Sequence, residues 1–166
     1  MSAIRKSLLQ LMFSGSYMRR WNDKLRPVEL YEIDKQAHKM FYAYVLAQCE
    51  GSEVDRLKLV EGGIFEFFHR GVLTDIKPPI YHKLIKEKGR QIDKWVLEQL
   101  REMTDGIGGG FFDRMERYFM EDDYSALEKK ILKAAEMFLE RQNCLNLQSL
   151  FFLQPRRAIR SCFVRL

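Results

Sequence analysis

Apolar residues recur along this chain at helical spacing rather than in the alternation of a strand. Ile4, Leu8, Leu9 and Met12 predict a first helix over 3–13, stopped by Ser14-Gly15-Ser16. Asp34 is placed to cap a second helix over 34–50, where Ala37, Met40, Phe41, Tyr44 and Val45 form an apolar stripe. Gly51-Ser52 ends it. A third helix over 53–70 carries Val54, Leu57, Val60, Ile64, Phe65 and Phe68. Gly62-Gly63 lies in its middle, where each glycine costs ~1 kcal/mol relative to alanine. Such a pair marks close packing against another helix or a ligand.

The segment GVLTDIKPP, residues 71–79, breaks the helical pattern, because Pro78-Pro79 drives the preceding backbone toward extended geometry. Helices resume over 80–88, 91–103, 110–120 and 124–140, with Asp105-Gly106 and Gly108-Gly109-Gly110 as a joint. Alternating strand runs and internal repeats are both lacking. The expected fold class is all-α, a compact multi-helix bundle.

At 166 residues the chain fits one domain, and 46% apolar with 13% aromatic content excludes disorder throughout. No apolar run approaches the roughly 18–20 residues that cross a bilayer, so no transmembrane segment is expected. The N-terminus has the basic start and short apolar stretch of a signal peptide. Gln10 interrupts that stretch, however, and Met18-Arg19-Arg20 makes a poor cleavage site. The reading is an amphipathic first helix in a soluble, cytoplasmic protein. Three widely spaced cysteines, Cys49, Cys144 and Cys162, form neither a disulfide framework nor a thiolate metal site.

A net charge of +5 points superficially to nucleic acid. Residues 141–166, however, hold five arginines and no acid, which leaves 23 basic residues against 23 acids in 1–140. The bias belongs to the tail, and no specific nucleic-acid binding is expected of the body. The chain therefore divides into a helical domain over 1–140 and an atypical basic and apolar segment over 141–166. That segment, with its LNLQSLFFLQPRRAIRSCFVRL, reads as a basic amphipathic helix for a membrane surface or partner, as an altered C-terminus, or as an ordinary terminal helix.

Three places carry candidate chemistry. Arg20-Trp21 follows the first helix and pairs a guanidinium fork, suited to phosphate, with an indole stacking face. The plainer alternative is a core tryptophan beside a solvated arginine. His38 lies one turn after Asp34, which suits an oriented metal ligand and equally a structural histidine. In EGGIFEFFHRGVLTDIKPPI, Glu66, His69 and Arg70 share a helix face. Glu66 with Arg70 reads as a surface ion pair, while Glu66 with His69 also reads as a pair of metal ligands. Asp75 follows in a proline-stiffened loop, where a carboxylate can act as a base.

In this order and spacing the features resemble the HD-domain superfamily, most closely its bacterial 5'-deoxynucleotidase branch and related HD hydrolases. In that branch an Arg-Trp pair follows the first helix and a histidine sits early in the next. The third helix carries His-Asp, its exit loop holds an aspartate before a proline-rich segment, and a last aspartate lies on a later helix. Arg20-Trp21, His38 and Leu73-Thr74-Asp75 with Pro78-Pro79 match those features across about residues 10–85, with weaker agreement to about 140. Counting back from Asp75 places the His-Asp pair on Glu66-Phe67; aligning by residue type places it on His69-Arg70. The later aspartate falls near Glu136.

The resemblance implies an HD-like fold and a metal-dependent phosphohydrolase acting on a small phosphate ester such as a nucleotide. Its metal ligands would be His38, Glu66, His69 and Glu136, around a divalent ion such as Mn, Co, Mg, Fe or Zn. Arg20 and Trp21 would bind substrate and Asp75 would serve catalysis, and a homodimer is a further implication. The absent His-Asp pair supports an alternative, a catalytically inactive HD-like domain that binds a ligand or a protein.

Overall fold

A computed structural model describes residues 4–20, 29–51, 53–74, 76 and 78–148, apart from the side chains at 78, 79, 82 and 142–148. Among these residues the chain forms six helices: α1 (Lys6–Ser16), α2 (Glu32–Glu50), α3 (Arg56–Leu73), α4 (Pro78–Thr104), α5 (Phe111–Met120) and α6 (Ala126–Gln148). The only extended pairing among them is an isolated antiparallel bridge between Arg19 and Tyr31. The expected all-α bundle is what the chain adopts.

Helix α3 is the axis of the bundle and packs against each of the other five helices. Asp55 starts it: Oδ1 accepts from the backbone N–H groups of Leu57 and Lys58 at 3.0 and 3.2 Å, satisfying two donors of the first turn. Leu59, Phe65 and Phe68 bury almost completely against Val96 and Leu100 of α4, Met115 of α5, and Leu132 and Ala135 of α6.

The glycine pair explains the crowding at the centre of α3. A methyl group at Gly62 would stand 2.8 Å from Leu132 Cδ1 and 3.0 Å from the Tyr118 ring, and one at Gly63 would collide with Met40 Sδ. Their close neighbours are therefore helices α2, α5 and α6. One turn later α1 meets α3 at another small residue, where Gly15 packs on Phe67 and Gly71. That contact carries α1 through Ser14-Gly15-Ser16, which had been expected to stop it, and Ser16 Oγ bonds back to the Met12 carbonyl at 2.7 Å. Tertiary packing overrides a weak local stop signal here.

Other boundaries move as well, among them α3, which runs Arg56–Leu73 against the expected 53–70. Asp34 lies one turn inside α2, where its Oδ2 accepts from the Tyr31 backbone N–H at 3.0 Å; Tyr31 is the N-cap. The helices expected over 80–88 and 91–103 form one element, α4. Their separation survives as a kink at Lys88, whose φ of −136° and ψ of 21° leave the helical region just before Gly89. Helix α6 runs past residue 140, into the segment set apart by composition. Among the described residues no helix is long and apolar enough to cross a membrane.

The largest departure is the orientation of α2. Most of its expected apolar stripe faces outward: Phe41, Tyr44 and Val45 are 72%, 56% and 59% exposed, while Met40, at its edge, packs against Gly63. Its buried face carries Glu32, Lys35, Gln36 and Lys39 before it reaches Ala43 and Ala47. Four polar residues at i, i+3, i+4 and i+7 thus point inward, and charged residues are buried this way only when they are paired.

Candidate functional site

The inward polar face of α2 forms one wall of a cavity of about 470 Å³, closed by α3, α4, α5, α6 and the strand-like segment at Arg20. Two backbone bonds pin that segment. The Arg20 N–H donates to the Leu30 carbonyl and the Glu32 N–H to the Met18 carbonyl, both at 2.8 Å. They set Arg20 beside the start of α2. Arg20 Nε lies 2.8 Å from Glu32 Oε2 as a charge contact rather than an aligned hydrogen bond, and Glu32 is 1% exposed. Glu32 Oε1 accepts from Gln36 Nε2 at 3.1 Å, while Gln36 Oε1 is buried without a hydrogen-bond partner.

One turn deeper, two lysines reach two carboxylates. Lys35 Nζ donates to Glu136 Oε1 of α6 at 2.6 Å. Lys39, 1% exposed, forms an ion pair with Glu66 Oε2 of α3. The second oxygen of Glu66 accepts from the Tyr118 hydroxyl of α5 at 2.7 Å, so both of its oxygens are engaged. Burial pushes the Glu136 carboxyl up, but the ammoniums of Lys35 and Lys39, the Lys35 hydrogen bond and Lys133 outweigh it. The carboxyl is held down at about 2. Burial, and then the neighbouring Glu66 carboxylate, pushes the Tyr118 phenol well above its ordinary range.

On the facing wall His69 Nε2 lies 2.9 Å from Asp93 Oδ1 of α4, and the imidazole stacks on Phe119 at 5.0 Å between ring centres. The Arg70 guanidinium sits 4.5 Å from the centre of the Tyr81 ring and donates to the Ile76 carbonyl at 3.4 Å, which ties the exit loop of α3 to α4. Burial raises the Tyr81 phenol, against the opposing effect of Arg70. Tyr81 also lines a second cavity of about 240 Å³, walled by Leu73, Leu84, Ile92 and Trp95.

Of the residues singled out by sequence, Arg20, Glu66, His69 and Glu136 come together in the large cavity. His38 does not. Helix α2 turns Lys35 and Lys39 inward, and His38, about 100° around the helix from Lys39, is exposed and outside the lining. Trp21 and Asp75 lie outside the described residues. Sequence reasoning missed Lys35, Lys39, Asp93 and Tyr118. The signal for the first two was present as the Glu32, Lys35, Gln36, Lys39 stripe, which competes with an equally periodic apolar stripe on the opposite side of the helix.

This donor set does not fit a divalent cation. Glu66 and Glu136 are already neutralised by buried ammoniums, and His69, the one imidazole lining the cavity among the described residues, contacts Asp93 through Nε2. Among the described residues no three His, Cys, Asp or Glu side chains are grouped to hold a metal. An ammonium within bonding distance of each carboxylate opposes a second positive charge there. Comparison with family models, curated proteins and solved structures gives no match to this chain.

Proposed function

We propose that this chain is a helical, HD-like binding domain for a small phosphorylated molecule of about nucleotide size. The observation that carries the reading is the convergence of Arg20, Lys35, Lys39 and Arg70 on one cavity. Guanidinium supplies a planar fork for phosphate oxygens and ammonium a point charge, and both gain strength where water is excluded. The cavity volume falls within the range of small-molecule sites. The second, apolar cavity beyond Tyr81 offers room for an uncharged ring or chain attached to the phosphate. The resemblance to HD nucleotidases agrees with a phosphorylated ligand, and the metal-dependent hydrolase it implies is the reading that the paired carboxylates disfavour.

The acids and bases of the inner wall are matched, so a phosphate binds by taking lysine and arginine donors from their carboxylate partners. Affinity is then moderate and falls with added salt. The test is calorimetric titration of the full chain with nucleoside 5'-monophosphates and with inorganic phosphate, beside the Arg20→Lys variant. Arg20→Lys keeps a positive charge near Glu32 and removes the fork. It is expected to weaken binding roughly tenfold. Equal affinity in the variant, or no binding of any monophosphate, overturns the reading.

Hydrolysis of the bound ester is the second reading, and the His69–Asp93 pair is the observation in its favour. A carboxylate on one ring nitrogen fixes the imidazole for proton transfer through the other. A screen for released phosphate, repeated with His69→Gln, decides it. Release that vanishes in the variant establishes turnover, and no release from any ester leaves a binding domain.

A further inference from the structure

We infer that the ammonium groups of Lys35 and Lys39 take the place of a divalent cation in this cavity, so that the site is metal-independent. The phosphate half of this inference rests on the function proposed above; the metal half stands on the geometry alone.

Both lysines leave α2 one turn apart and on the same side. Each reaches a carboxylate on a different helix, Glu136 on α6 and Glu66 on α3. A divalent ion bridging two acids from two helices would serve the same structural purpose: it would hold α3 and α6 together and keep both acids ionised. Here two separate +1 charges deliver the same total. Their positions are fixed by burial, since Lys35 is 7% and Lys39 1% exposed. A lysine buried to that degree is stable as a cation only beside a carboxylate, and expelling it to admit a metal would leave the ammonium without a partner or drive it into water through packed side chains. Tyr118 reinforces the arrangement by occupying the Glu66 oxygen that Lys39 leaves. The result is a neutral set of two ammoniums and two carboxylates, bonded pairwise.

The same arrangement is suited to an anion. A phosphate entering the cavity meets two ammonium groups that leave the same helix face one turn apart, and each can share its three N–H donors between carboxylate and phosphate. Lysine is a point-charge phosphate binder, so no metal bridge between phosphate and carboxylate is required.

Two measurements on the full chain test this. In the first, Mn²⁺ is titrated while its free-ion electron paramagnetic resonance signal is recorded. In the second, inorganic phosphate and adenosine 5'-monophosphate are titrated in EDTA and again with Mn²⁺. The wild-type chain is expected to show no Mn²⁺ site tighter than about 1 mM and the same phosphate affinity in both solutions. The Lys35→Met/Lys39→Met variant, which frees Glu66 and Glu136, is expected to gain a Mn²⁺ site and to lose phosphate affinity at least roughly tenfold. If circular dichroism shows that this variant does not fold, Lys39→Arg takes its place: it keeps the charge and the pairing, and is expected still to exclude Mn²⁺. A stoichiometric, micromolar Mn²⁺ site in the wild-type chain, or phosphate binding abolished by EDTA and restored by Mn²⁺, overturns the inference. If neither Mn²⁺ nor any phosphate binds the wild-type chain, the proposed ligand class fails while the exclusion of metal is upheld.

Discussion

Lys35 Nζ lies 2.6 Å from Glu136 Oε1, and this contact joins α2 to α6. It also sets a pH dependence. The Glu136 carboxyl is held near 2 in the folded chain against an ordinary 4.5. A depressed carboxylate pKa stabilises the folded state fully above its unfolded value, and the stabilisation disappears as pH falls from about 4.5 through about 2. The ion pair is partly open to solvent, so its worth across that window is roughly 1–3 kcal/mol. Urea denaturation at stepped pH is expected to show this loss in the wild-type chain and a shallower loss in Lys35→Met. Identical slopes would count against the ion pair.

Tyr118→Phe keeps the ring and removes the hydroxyl that bonds Glu66. A hydrogen bond to a charged group is worth about 1.5–3 kcal/mol, so the unfolding free energy should fall by that amount, seen as a lower denaturation midpoint with the m-value unchanged. Ultraviolet titration gives a second readout. Burial, then the Glu66 charge, raises this phenol, so Tyr118, like the buried Tyr81, should remain protonated well after the exposed tyrosines have ionised. That late step should shrink by one tyrosine in Tyr118→Phe, leaving the contribution of Tyr81.

Gly62→Ala tests the close approach at the centre of α3. Alanine favours the helix by ~1 kcal/mol, but its methyl group would press on Leu132 and on the Tyr118 ring, which Glu66 holds in place. The net expectation is a loss of about 1–2 kcal/mol by chemical denaturation. Gly63→Ala should cost less, because the obstacle there is the flexible Met40 thioether.

Arg114 ties α5 to α3 outside the cavity lining. It forms a two-pronged pair with Glu61, Nε to Oε2 at 2.8 Å and Nη2 to Oε1 at 2.6 Å, and also donates to the Gly109 carbonyl. Glu61 is 6% exposed, so Arg114→Ala strands a buried carboxylate. The expected loss is about 2–4 kcal/mol, with ligand binding by the refolded protein unchanged. A change below ~0.5 kcal/mol would place Glu61 in water rather than in the bundle.

These positions separate what the sequence makes legible from what it conceals. The helices themselves are legible, because apolar spacing at 3.6 residues and the punctuation by Gly51, Pro78 and Gly108-Gly109-Gly110 are local signals. Gly62-Gly63 was legible as a packing contact for the same reason. The facing of α2 was not. Its two stripes, Ala37-Met40-Phe41-Tyr44-Val45 and Glu32-Lys35-Gln36-Lys39, are equally periodic, and hydrophobicity alone selects the wrong one. Only the carboxylates on α3 and α6, far along the chain, make it favourable to bury lysines. Asp93 and Tyr118 were hidden for a related reason. Neither belongs to a motif, and each gains meaning only when α4 or α5 brings it to His69 or Glu66. His38 stood out by residue type, yet the rotation of α2 that brings Lys39 in leaves it outside the cavity.

On the function proposed, a phosphorylated ligand is bound by fixed cations of the chain without a metal. Calorimetric titration of the wild-type chain with adenosine 5'-monophosphate in EDTA tests it most directly, with Lys39→Met measured in parallel. Saturable one-to-one binding in EDTA is expected, weakened in Lys39→Met by at least roughly tenfold, about 1.4 kcal/mol. No heat of binding in EDTA, followed by full binding once Mn²⁺ is added, would contradict it.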